Sequence, residues 1–106
     1  LLRKRPDYRT DIYSLGITFY EILTRRAPFQ GEDRDDILAM RLRTSPPFMR
    51  TYDKNLTEGI DDLVCRMLEK DPDRRPQGMA EVILRLKRLP IFVKPPTPPV
   101  SEGPNR

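Results

Sequence analysis

From Ile12 to Leu23 the apolar residues Ile12, Tyr13, Leu15, Ile17, Phe19, Tyr20, Ile22 and Leu23 fall on every face of a helical wheel. That pattern predicts a helix buried nearly all round, at the centre of the fold. Thr10 is placed as its N-cap, with Asp11 in the first turn, where the helix dipole favours a carboxylate. The helix should end near Arg25-Arg26, with Pro28 just beyond. Gly16 inside it costs roughly 1 kcal/mol against Ala, so a close neighbour is expected to require the missing side chain.

Three more helices follow from the same reasoning. One spans about 35–43, with Ile37, Leu38, Met40 and Leu42 apolar, acids at its start and Ser45-Pro46-Pro47 as its stop. The next spans about 57–70, where Ile60, Leu63, Val64, Met67 and Leu68 form an i, i+3, i+4, i+7, i+8 stripe that Pro72 ends. The last spans about 76–89, with Pro76 in the first turn and Met79, Val82, Ile83, Leu86 and Leu89 facing inward. No segment alternates with period two, so the chain reads as all-α with about four helices.

The pattern changes after Leu89. Residues 90–106 hold half of the chain's 12 prolines, and apolar residues thin out past Val93. Two units are expected: a helical domain over 1–89 and a Pro-rich, polyproline-II-type linker or tail over 90–106. The run Pro95-Pro96-Thr97-Pro98-Pro99 contains P-x-x-P spacing, which suits an aromatic-lined proline-recognition domain as well as it suits a plain spacer.

Composition narrows the chemistry. A chain of 106 residues is one small domain at most, and its 27 Leu, Ile, Val and Phe residues allow only a thin core. One cysteine, Cys65, makes no internal disulfide, and with no histidine in the chain a zinc site and most hydrolase schemes fall away. A reducing, cytoplasmic location fits. The net charge of +4 raises nucleic acid as a partner, but the signs are interspersed rather than blocked, which argues against it. No apolar run approaches the ~20 residues needed to cross a bilayer. The start, Leu1-Leu2-Arg3-Lys4, has neither an initiator Met nor a signal-peptide pattern and reads as an internal start.

Two segments go further. Thr10-Asp11-Ile12-Tyr13-Ser14-Leu15-Gly16, continued to Thr24 and followed by Ala27-Pro28-Phe29, resembles the D-x-[WY]-S-x-G helix of eukaryotic-type (Hanks-type) protein kinases. Met67-Leu68-Glu69-Lys70-Asp71-Pro72-Asp73-Arg74-Arg75-Pro76 resembles the late D-P-x-x-R-P motif of the same family. Both occur in order and at a family-like separation. The resemblance covers about residues 1–89 and implies the C-terminal part of the kinase large lobe. Leu68-Glu69-Lys70-Asp71-Pro72, with Tyr13 in place of Trp, looks more like the Ser/Thr than the Tyr kinases.

The resemblance also implies roles. Asp11 would hold the backbone of a catalytic loop. That agrees with physical reasoning, since a carboxylate opening an apolar helix needs converging N–H donors. Gly16 and Arg75 would be structural anchors, Arg75 pairing with the Glu of an A-P-E motif that this chain does not contain. If buried without that partner, Arg75 would cost on the order of 3–5 kcal/mol. Glu21 would meet a basic substrate side chain, and the 35–43 helix, through Ile37 and Leu38, would be a docking helix. Thr18 departs from the large apolar residue usual under the family's hydrophobic columns. The plain alternatives are a first-turn acid, a solvated arginine, a helix acid near Arg25 and a solvated amphipathic helix.

Phosphoryl transfer in this family needs a Gly-rich loop, a strand Lys, an H-R-D loop and a D-F-G Asp. None is in the sequence. The expectation is a chain with no catalytic, cofactor-binding or metal-binding residue of its own. ATP and magnesium would belong to the intact parent, whose partners would be its own N-terminal kinase portion and its protein substrates. Two other classes stay open: a non-catalytic interaction module derived from a kinase lobe, and a basic nucleic-acid binder using Arg25, Arg26, Arg41, Arg43, Arg85, Lys87 and Arg88. Without the rest of a lobe, apolar surface should be exposed along Ile12 to Leu23.

Overall fold

The computed structural model describes residues 8–95. They form four helices, α1 (Tyr8–Thr24), α2 (Arg34–Arg43), α3 (Glu58–Met67) and α4 (Met79–Arg88), with short 3-10 turns at Met49–Thr51 and Pro72–Arg74. No strand is present among the described residues; Leu56 and Phe92 form an isolated antiparallel bridge. The fold is all-helical, as the apolar periods predicted.

The core is a seam in which α3 packs on both α1 and α4. Ile12, Gly16, Tyr20 and Thr24, spaced by four, are the buried residues of α1. Ile60, Leu63, Val64, Met67 and Leu68 answer them from α3 and its last turn, and Val82 closes the other side. The all-round burial expected of α1 is not found. Leu15, Ile17, Phe19 and Leu23 are only partly buried against the core and Ile22 is 66% exposed, because α3 and the 3-10 turn at Met49–Thr51 cover only part of the helix surface. Apolar surface along α1 is therefore open, as the sequence led us to expect.

Several boundaries move for local reasons. Nothing in Tyr8-Arg9 opposes helical backbone, so Thr10 lies inside α1 and not at its N-cap. The C-terminus of α1 closes through Arg25 at φ 59, whose N–H donates to Glu21 O at 2.7 Å; this left-handed position usually falls to Gly. Thr57 caps α3 by accepting from Ile60 N. The helix stops at Met67, before the expected Lys70, and Asp71 is extended ahead of Pro72. Pro76 is buried but precedes α4, which begins at Met79. Ile83, expected to face inward, is 48% exposed, because Val82 takes the core-facing position beside it.

The chain does not leave the fold at Leu89. Thr57 N donates to Ile91 O at 3.0 Å, Val93 N to Asn55 O at 2.7 Å and Lys94 N to Asn55 Oδ1 at 2.9 Å. Phe92 packs against the core. The helical unit therefore runs on to Lys94. The P-x-x-P run Pro95-Pro96-Thr97-Pro98-Pro99, apart from Pro95, and the rest of the Pro-rich tail lie outside the described residues.

Gly16 marks the closest approach of α1 to α3. A Cβ there would stand 2.9 Å from Met67 Cβ and 3.2 Å from Leu68 Cδ2. The first of these atoms is fixed to the α3 backbone, so relief requires the helices to part. At Gly59 a Cβ would meet the end of the flexible Leu89 side chain instead. Gly16→Ala is expected to cost about 1–3 kcal/mol by overpacking, against a helix-propensity gain of about 1 kcal/mol. The net loss should exceed that of Gly59→Ala, read as the difference in urea midpoints; equal midpoints would contradict the seam described.

Candidate functional site

The residues after α3 turn back toward the start of α1, and Arg75 makes the connection. It is 9% exposed. Its Nε donates to Glu69 O at 2.7 Å, one Nη to Arg9 O at 3.0 Å and the other to Lys70 O at 3.4 Å. Its guanidinium carbon lies 4.6 Å from the centre of the Tyr13 ring, a cation–π geometry. The buried charge is thus set among carbonyl oxygens and an aromatic face. Arg41 of α2 approaches the same ring at 5.8 Å. Burial pushes the Tyr13 hydroxyl pKa up, and the charges of Arg41 and Arg75 partly offset that shift. Beside this cluster Arg9 pairs with Asp73 at 2.7 Å.

The other residues singled out from the sequence are not gathered there. Asp11 is exposed in the first turn of α1, and among the described residues no N–H donor converges on it. Glu21 is exposed near the other end of the same helix. Thr18 is exposed and donates to Ser14 O at 3.2 Å. On α2, Ile37 is partly buried and Leu38 is 53% exposed. No residue of α2 is buried; Asp33 caps it by accepting from Asp36 N, and Thr44 closes it on Met40 O.

Sequence reasoning missed Asp61. It is 4% exposed, and its two carboxylate oxygens accept from Met49 N at 2.9 Å and Arg50 N at 3.1 Å. An anion on these free N–H groups anchors the 3-10 turn to α3. The signal was available: Asp61 lies one helical repeat of seven before Leu68, at the edge of the apolar stripe. Tyr20 holds the same loop from α1, donating to Pro47 O at 2.8 Å. Cys65, one turn after Asp61, lines a cleft of about 320 Å³ with Phe48, Leu68 and Lys70. Burial, then the charges of Asp61 and Asp62, push its thiol pKa up to about 12.

Against this geometry the family is clear. Residues 1–86 match the family model of the protein kinase domain, and the chain belongs to the protein kinase family, of the Hanks type. It is 33% identical over 94 residues to the serine/threonine-protein kinase PknB of Mycobacterium tuberculosis, which covers 89% of this chain and 15% of that protein. It is 34% identical over 83 residues to a probable serine/threonine-protein kinase of Clostridium perfringens, covering 78% of this chain and 12% of the relative. A hybrid signal transduction histidine kinase of Dictyostelium discoideum is 38% identical over 72 residues, or 68% of this chain and 2% of its own length. The chain therefore spans only a small part of these relatives.

The raised thiol pKa makes Cys65 a packing residue rather than a nucleophile. A thiol-specific reagent at pH 8 should label the native chain far more slowly than the urea-unfolded chain. The sign for stability follows from linkage. Between the unfolded value near 9 and the folded value of about 12 the native state holds the extra proton. This contribution is full below pH 9 and is lost as pH rises toward 12. Native labelling as fast as that of the unfolded chain would contradict the environment described.

Proposed function

We propose that this chain is the C-terminal part of the large lobe of a protein Ser/Thr kinase, whose intact form transfers the γ-phosphoryl group of ATP to Ser or Thr of protein substrates. One observation carries the reading. The two motifs, far apart in sequence, meet in space: Arg75 of D-P-x-x-R-P lies over the ring of Tyr13 from D-x-Y-S-x-G and binds Arg9 O. The kinase relatives support it. The chain's role in the parent is a scaffold: α1 and α3, locked by Arg75, present Asp11 toward a catalytic loop and Glu21 toward a basic substrate side chain.

The residues present do not fit a nucleotide–magnesium site. The sequence contains no Gly-rich loop, H-R-D or D-F-G, and among the described residues no three His, Cys, Asp or Glu side chains gather to hold a metal. ATP and magnesium are assigned to other parts of the parent. No helix among the described residues is long and apolar enough to cross a membrane, and a cytoplasmic catalytic lobe suits the reading. A second reading, a non-catalytic interaction module, is favoured by α2, which buries none of its residues and leaves Leu38 and Leu42 53% and 79% exposed.

The test is to translate the coding region upstream of Leu1 in frame, express the whole product and assay transfer from labelled ATP to Ser and Thr of a protein substrate. Transfer that is lost when the product ends before residue 8 is the expected result. A folded whole product that transfers no phosphate would overturn the kinase reading and leave the interaction module.

A further inference from the structure

The segment after α4 runs up to an open cleft. It lies antiparallel to residues 55–57: Thr57 N donates to Ile91 O at 3.0 Å, Leu56 bridges Phe92, and Val93 N donates to Asn55 O at 2.7 Å. Asn55 then holds Lys94 from both sides, its Oδ1 accepting from Lys94 N at 2.9 Å and its Nδ2 donating to Lys94 O at 3.0 Å. In an antiparallel pair each further residue advances toward lower numbers on the partner segment. The exposed Pro95 is therefore headed toward Asp53 and Tyr52.

Those two residues line a cleft of about 410 Å³ with Ile22, Leu23 and Arg25 from the end of α1 and with Phe92. Ile22 is 66% and Tyr52 38% exposed, while Leu23 and Phe92 are half-buried. The cleft thus offers aliphatic and aromatic surface that the described residues leave open. The guanidinium carbon of Arg26 stands 4.5 Å from the centre of the Tyr52 ring and steadies it. Neither Arg25 nor Arg26 has an ion pair among the described residues. Asp53, the acid of the lining, is engaged by Asn55 N at 2.9 Å.

We propose that this cleft seats the chain's own Pro-rich tail, with Pro96-Thr97-Pro98-Pro99-Val100 laid across Tyr52 and Phe92 and Glu102 turned to Arg25. Three observations select this occupant. The segment that carries the tail already points along the pairing toward Asp53 and Tyr52. The tail is rich in proline, whose rings suit an aromatic-lined groove and whose extended backbone is largely preformed, so that docking orders little. Glu102 is the one acid from residue 90 onward, and the cleft's margin carries two arginines without an acidic partner. The tether adds to this. A short flexible linker supplies an effective concentration of about 1 mM, so a groove with only about millimolar affinity for the free segment is about half filled in cis. A proline segment from another protein must reach that concentration in solution to compete. The inference does not rest on the kinase reading.

The experiment is NMR on the full 106-residue chain. Cross-relaxation is expected between the ring protons of Tyr52 or Phe92 and the δ protons of Pro96, Pro98 or Pro99, with an intensity per chain that does not change on dilution. Ile22→Ser, at an exposed position where circular dichroism verifies the fold, should lower these cross-peaks severalfold. Glu102→Gln should lower them about twofold at low salt and less at high salt. Ile83→Ser, an exposed position on α4, should leave them unchanged. The proposal is overturned by a folded chain that shows no such cross-peaks, by cross-peaks that survive Ile22→Ser undiminished, or by cross-peaks that arise only between isotope-labelled and unlabelled chains in a mixture, which would give the cleft to the tail of a second copy.

Discussion

A single guanidinium joins the two ends of this fold. Arg75 is held by carbonyl oxygens from the first turns of α1 and from the segment leaving α3, with the Tyr13 ring against its face. A planar fork with donors pointing several ways can serve carbonyls on separate segments at once, whereas an ammonium group on a flexible stem cannot match that spread. Burial raises the stakes, because each donor left without an acceptor in this setting costs about 1–3 kcal/mol. The path of the chain after Met67, through Pro72 and the 3-10 turn, is what brings Arg75 back to α1.

The rest of the structure follows from that closure. With the ends tied, α1 and α3 lie close enough that only Gly fits at position 16. Asp61 then supplies a buried anion to the turn at Met49–Thr51, and Tyr20 holds the same loop from the other helix. Both polar ties are made by groups whose partners are backbone atoms, so they fix main-chain path rather than side-chain identity. In contrast, α2 is held by its caps and by little burial. A well-packed seam beside a lightly attached helix divides the unit into a part of high and a part of low local stability.

Much of this was legible in the chain. The four helices came from apolar periodicity, and the need for Gly16 came from the cost of a glycine inside a helix. The kinase motifs pointed to Arg75. What the sequence did not show depended on which element covers which face. A helix apolar on all sides looks central, but only one of its faces meets α3. Val82 and Ile83 are adjacent, and the period cannot decide which one the core takes. Three acceptors of Arg75 are carbonyls, which every residue carries, so no side-chain pattern announces them. Pro90 suggested a tail, yet Ile91, Phe92 and Val93 form a short apolar run that pairs back on Asn55 and Thr57.

The account stands on Arg75 making α1 and α3 one cooperative unit, and hydrogen exchange on Arg75→Lys tests that most directly. The charge is kept and the fork is lost. Amides of Ile12 to Tyr20 and of Ile60 to Met67 should lose protection together, by about tenfold or more given about 1.5–3 kcal/mol for charged hydrogen bonds, while those of α2 exchange as before. Loss confined to residues 69–77, or protection unchanged in both helices, would contradict it.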